Sequence, residues 1–160
     1  MAPPSRTAVR PTTDKVREAV FNALASLDVV VGARVADLYA GSGALGIEAL
    51  SRGAAHCTFV ERDRAAVAAI DENIATLGLR DRTTVRVGDA IAAAPRIDAD
   101  LAFADPPYEF DEWPRLLRAI TAQLVVAEAA AIVDAPVDWE QGRTKRYGRT
   151  WVTFLHRELP

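Results

Sequence analysis

Short apolar runs that end on an acid or a glycine recur along the chain: VADLYAG (35–41), CTFVE (57–61), TTVRV (83–87), LAFAD (101–105) and AAAIVD (129–134). The stretches between them place apolar residues three and four apart, which predicts helices over 44–52, 64–77 and 111–124. Gly78 is the expected C-cap of the second of these. An earlier helix, 14–25, can be capped by Thr12 or Thr13. It carries Asp14 and Glu18 in its early turns and Val16, Val20, Phe21 and Leu24 at helical spacing. Apolar runs alternating with helices imply βαβ units and a largely parallel sheet covered on both faces. The tail differs, because RTKRY and TWVTFLH flank Gly148-Arg149 and read as an antiparallel pair joined by a tight turn. The predicted fold class is therefore α/β, one domain over residues 10–160 with an antiparallel C-terminal hairpin, behind a flexible lead-in at 1–9.

Composition narrows this picture. A chain of 160 residues buries a proper core without disulfides or a structural metal. Cys57 is the only cysteine and lies in an apolar run, so no disulfide framework and no cysteine-rich zinc site is expected. With no apolar run near the ~20 residues of a membrane span and no secretory signal, a cytoplasmic monomer that needs neither membrane nor metal is the expectation. His56 and His156 have no metal-spaced partner. The net charge of −3 argues against binding nucleic acid through overall charge, but the distribution is uneven. Residues 143–157 carry Arg143, Lys145, Arg146, Arg149 and Arg157 and no acid, which suits either a local phosphate-binding face or ordinary solvated charge.

Candidate chemistry gathers at the strand ends. In an open parallel sheet, ligands bind outside the carboxyl ends of the strands, near the point where strand order reverses. The segment GSGALG (41–46) fits the G-x-G-x-x-G pattern, with Gly41 and Gly43 allowing positive φ and close backbone approach. Glu61, about twenty residues beyond the start of that loop, can accept from ribose hydroxyls. NAD and S-adenosylmethionine both offer a ribose. Asp37 before the loop and Asp89 after the third strand separate them, since carboxylates repel a pyrophosphate and attract a sulfonium with its ammonium group. Asp37 suits the methionine ammonium, and Asp89 suits the adenine amine or a simple cap.

The tetrapeptide Asp105-Pro106-Pro107-Tyr108 must lie just past a strand, because proline gives no N–H to a ladder. An amine attached to a purine is a poor nucleophile, its lone pair being delocalised into the ring. A carboxylate and a rigidly aimed carbonyl that accept from its two hydrogens localise that pair toward an electrophilic methyl. Asp105 and the Pro106 carbonyl can supply the two acceptors, and Tyr108 can stack on the base. A paired base must leave its stack to reach them. A rigid surface turn is the plain alternative.

RPTTDKVREAVFNAL (10–24), DLYAGSGALGIEALSRGA (37–54), FVERD (59–63), GDA (88–90), ADPPY (104–108) and RYGRTWVTFL (146–155) together resemble the bacterial RsmD family. The resemblance implies a Rossmann-like, class I methyltransferase with a seven-stranded sheet, S-adenosylmethionine as donor, and the N2 amine of a guanine in 16S ribosomal RNA as target, in naked RNA or in a small-subunit particle. It implies Asp105, Pro106, Pro107 and Tyr108 as catalytic residues. The expected cofactor set is Asp37, Tyr39, Gly41, Gly43, Glu61, Arg62, Asp89, Ala90 and Asp105. Arg10, Pro11 and Thr12 match the Arg-Pro-Thr segment of the family, which puts Arg10 and Thr12 with Tyr108 on the substrate side. The stretch MAPPSRTAV departs from the glycine- and arginine-containing segment with which the family usually begins. The residues alone also admit an adenine-N6 methyltransferase on DNA or RNA, a non-catalytic RNA-binding assembly factor, or a dinucleotide oxidoreductase, the last disfavoured by the carboxylates.

Overall fold

A computed structural model describes residues 13–158. Helix α1 (Asp14–Leu27) opens behind Thr13, whose hydroxyl accepts from the Val16 N–H, and buries Val16, Val20, Phe21 and Leu24. The chain then alternates through β1 (Arg34–Leu38), α2 (Ala44–Ser51), β2 (His56–Glu61), α3 (Arg64–Leu77) and β3 (Thr83–Val87). It continues through α4 (Ala90–Ala93), β4 (Leu101–Ala104), α5 (Trp113–Ala119), β5 (Leu124–Ala129), β6 (Trp139–Tyr147) and β7 (Thr150–Arg157).

The seven strands form one sheet in the order β3-β2-β1-β4-β5-β7-β6. The first five are mutually parallel, and β7 lies antiparallel between β5 and β6. Each face is covered by an apolar cluster. One packs Phe21, Leu24, Leu50 and Ile70 of α1, α2 and α3 against Phe59 and Phe103. The other packs Ala90, Leu116 and Leu117 against Val60, Ala102 and Val125. Strands buried on both faces explain the unbroken apolar runs in the sequence. Strand order reverses between β1 and β4, so the crevice expected of this topology opens above their carboxyl ends.

The main departures from the sequence reading lie at four elements. Strand β1 stops at Leu38, because Tyr39 already adopts a left-handed φ of 58°. The helix expected over 111–124 is only Trp113–Ala119, and the strand expected at 129–134 is Leu124–Ala129. Ile120 turns to extended geometry, and the Thr121 hydroxyl then pins the chain to Ile97 O and Ala99 N beneath β4. The run LVVAEA therefore enters the sheet between β4 and β7, where pairing and burial outweigh the helical preference of its alanines. Finally, β6 begins at Trp139 rather than near Arg143, with a register irregularity between Gln141 and Thr144.

Candidate active site

The glycine-rich turn between β1 and α2 is shaped by two carboxylates. Asp37, 2 % exposed, accepts from the Gly46 N–H at 2.9 Å inside the first turn of α2. Burial pushes its carboxyl up to about 8, with nearby Asp105 and Glu61 adding to the effect and the Gly46 N–H opposing it. Glu61 holds the loop from β2: its Oε1 accepts from Gly41 N at 2.8 Å, and its Oε2 from Arg62 N at 3.0 Å and Asp63 N at 2.9 Å. A carboxylate offers about four acceptor positions, so three are engaged and one remains for a ligand.

The glycines have separate tasks. Gly41 and Gly43 sit at φ 61° and 84°, a conformation that other residues resist. Gly46 is a packing residue, since a Cβ there would lie 2.5 Å from the Phe59 ring and 2.6 Å from Cys57 Sγ. It lets α2 close onto β2.

Above the carboxyl ends of β1, β2, β3 and β4 lies a cavity of about 710 Å³. Of the residues expected at the cofactor, Tyr39, Glu61, Arg62, Asp89, Ala90 and Asp105 line it. Pro106, Pro107 and Tyr108 form a further part of its wall. Asp37, Gly41 and Gly43 are not on the wall; they shape the loop from behind. Arg10 and Thr12 lie outside the described residues. Asp89 is also the N-cap of α4, accepting from Ala92 N at 3.0 Å, so the cap reading and the cavity reading both hold for its carboxylate.

Sequence reasoning missed part of the lining. Val60 and Ile91 flank predicted site residues and give the cavity apolar patches, while Phe110 continues an aromatic ladder. Its ring lies 5.7 Å from that of Tyr39 and 5.3 Å from that of Trp113, both edge-on. Burial, with Asp89 and Glu112 nearby, pushes the Tyr39 phenol up, so it stays a hydrogen-bond donor. Asp63, Glu109 and Glu112 bring the carboxylates of the wall to six against the single cation Arg62. The acids clustered at 109–112 were the available signal, since they directly follow the tetrapeptide.

Asp105 follows the last residue of β4 and is half-buried, and Pro106 is buried behind it. The Pro107 carbonyl accepts from Phe110 N at 3.0 Å, which closes the turn. Among the described residues nothing donates to the Pro106 carbonyl. The Tyr108 ring stands 49 % exposed at the cavity mouth.

A family model described as conserved hypothetical protein 95 matches residues 1–156. The chain is 42 % identical to YlbH of Bacillus subtilis, provisionally named an rRNA methyltransferase, over 94 % of this chain and 89 % of that one. It is 34 % identical to ribosomal RNA small subunit methyltransferase D of Escherichia coli, over 97 % and 83 %. The chain belongs to this family. Among solved structures, the yhhF protein of E. coli, provisionally a methyltransferase, superposes with a TM-score of 0.83 at 33 % identity, covering 98 % of this chain and 92 % of that one.

Family membership bears out the expected RsmD resemblance, the seven-stranded methyltransferase sheet and S-adenosylmethionine as the donor. The chemistry of the wall fits that donor. Six carboxylates suit a ligand that carries a sulfonium and an ammonium, and they would repel a pyrophosphate. The patches of Val60, Ile91 and Phe110 suit a planar base, and the volume lies within the range of small-molecule sites. Among the described residues no group of three His, Cys, Asp or Glu side chains could hold a metal ion. No helix among them is long and apolar enough to cross a membrane.

Proposed function

We propose that this chain methylates the exocyclic N2 amine of a guanine in 16S ribosomal RNA, acting as a cytoplasmic monomer. The observation that carries this reading is the placement of Asp105-Pro106-Pro107-Tyr108 on the wall of the cavity that Glu61 and Asp89 also line. Bound S-adenosylmethionine supplies an electrophilic methyl on a cationic sulfur. Asp105 and the Pro106 carbonyl accept from the two hydrogens of the incoming amine and turn its lone pair toward the cavity. The buried Pro106 ring and the closed Pro107–Phe110 turn keep that carbonyl aimed, so the chain contributes mainly position. Tyr108 stacks on the extruded base, a contact worth about 1–3 kcal/mol. The carboxylates of the wall strengthen binding of a cationic donor and keep phosphates out of the cavity.

The exocyclic amine rests on these residues, and guanine rests on the RsmD resemblance. Transfer of a labelled methyl group to small-subunit particles, naked 16S RNA and DNA tests the reading, with Asp105→Ala as the control. Label is expected in ribosomal RNA with the native chain, and at least about 100-fold less with Asp105→Ala, a loss far larger than the loss of cofactor affinity that one of six wall carboxylates accounts for. Label in DNA alone, or full turnover by Asp105→Ala, contradicts it.

A further inference from the structure

The β6–β7 hairpin completes the sheet but lends no residue to the cavity wall. Its tip carries Lys145 and Arg146 at the end of β6 and Arg149 in the turn, with no acidic residue anywhere in 143–157. All three are exposed, and none forms an ion pair with a described residue. Several arginines elsewhere are paired: Arg17 with Asp14, Arg52 with Glu48, and Arg115 with Glu112. Two of the three hairpin cations instead rest on rings. Lys145 Nζ lies 5.4 Å from the centre of Tyr147, and the Arg146 guanidinium lies 6.0 Å from that of Trp151. Arg146 Nε also donates to Gly148 O at 2.8 Å, which ties it to the turn.

Strand direction fixes where this turn lies. Strand β6 runs parallel to β5, because both are antiparallel to β7. The turn is therefore at the carboxyl edge of the sheet, the edge that holds the cavity. The register makes the level specific. Ala104, the last residue of β4, pairs with Ala127, which pairs with Thr153, which pairs with Thr144. Two residues further on, Ala129 pairs with Trp151 and Trp151 with Arg146. That row, extended across β4, meets the chain at Pro106. Arg146 thus stands level with the tetrapeptide, three strand spacings away, about 14 Å.

Charge around the tetrapeptide is segregated between the cavity and the hairpin. The exposed acids Glu109, Asp111 and Glu112 directly follow the tetrapeptide, two of them on the cavity wall, whereas the cations that form no ion pair with a described residue stand on the hairpin. A nucleic-acid strand whose base enters the anionic cavity must leave its phosphates outside it, and these cations are the favourable place for them.

We infer that the Lys145–Arg149 turn is the phosphate-docking element of this enzyme, holding the RNA backbone beside the nucleotide whose base enters at Asp105–Tyr108. The inference rests on the proposed action on RNA. Its test is the variant Lys145→Glu/Arg149→Glu, which breaks no hydrogen bond of the turn, with Arg80→Glu near the amino edge as the charge control. Thermal unfolding and calorimetric binding of S-adenosylmethionine check that each variant is folded and loaded.

The turn variant should raise the KM for 16S RNA by at least about tenfold with kcat within about twofold. It should also lower the salt slope of binding to a fluorescent single-stranded RNA by about 1.4, the value for two lost contacts. Arg80→Glu should change neither. Methylation by the turn variant with native KM and native salt slope overturns the docking assignment and leaves the activity standing. RNA binding that depends on the turn without any methylation overturns the activity and leaves the docking standing. A native chain that neither binds nor methylates RNA overturns both.

Discussion

Glu61 and Asp105 are both carboxylates at strand ends, and their surroundings give them different work. Glu61 is 8 % exposed and already receives three backbone N–H groups, so it holds the loop and keeps one acceptor position for a ligand. Glu61→Ala should weaken S-adenosylmethionine at least about tenfold by calorimetry, and lower stability by about 1–3 kcal/mol through the donors it strands. Unchanged affinity would remove it from the site. Asp37 behaves differently again. Its folded-state value of about 8 lies above that of an unfolded carboxylate, so the folded chain keeps a proton that the unfolded chain releases. Stability should then fall as pH rises from about 4 to about 8, and Asp37→Asn should flatten that slope in urea denaturation. Parallel curves for the two proteins would contradict the assignment. Glu61, Asp89 and Asp105 were legible in the sequence because acids ending apolar runs are unusual. That Asp37 lies behind the loop was not legible, since its partner Gly46 is set by how α2 docks.

At the level of elements, α2 sits on β2 because Gly46 has no side chain. Gly46→Ala would force a Cβ to within 2.5 Å of the Phe59 ring and 2.6 Å of Cys57 Sγ. The expected cost is about 1–3 kcal/mol, read as a lowered urea midpoint, with weakened cofactor binding as the loop shifts. A neutral substitution would show that α2 is not seated as described. Elements whose pattern and punctuation agree were readable: α3 runs from the Asp63 cap to Gly78 at φ 69°, and β3 matches its expected span. The region 111–134 was not readable from local pattern. Its alanines favour a helix, whereas the Thr121 contacts and the neighbours β4 and β7 decide for a strand.

Across the whole molecule, the sheet brings its chemistry to one edge. Residues 37, 61, 89 and 105, far apart in sequence, meet there because parallel strands share a direction, and the hairpin returns its cations to the same side. The net charge of −3 concealed this polarity: an anionic cavity and a cationic turn share one sheet edge, the arrangement from which the docking inference is drawn. The fold was therefore legible from periodicity, while the opposition of charge needed the topology. The measurement that most directly tests the proposed activity is nucleoside analysis of small-subunit RNA after incubation with the enzyme and labelled S-adenosylmethionine. Label in N2-methylguanosine is the predicted result; label in N6-methyladenosine, or none in any nucleoside, would contradict it.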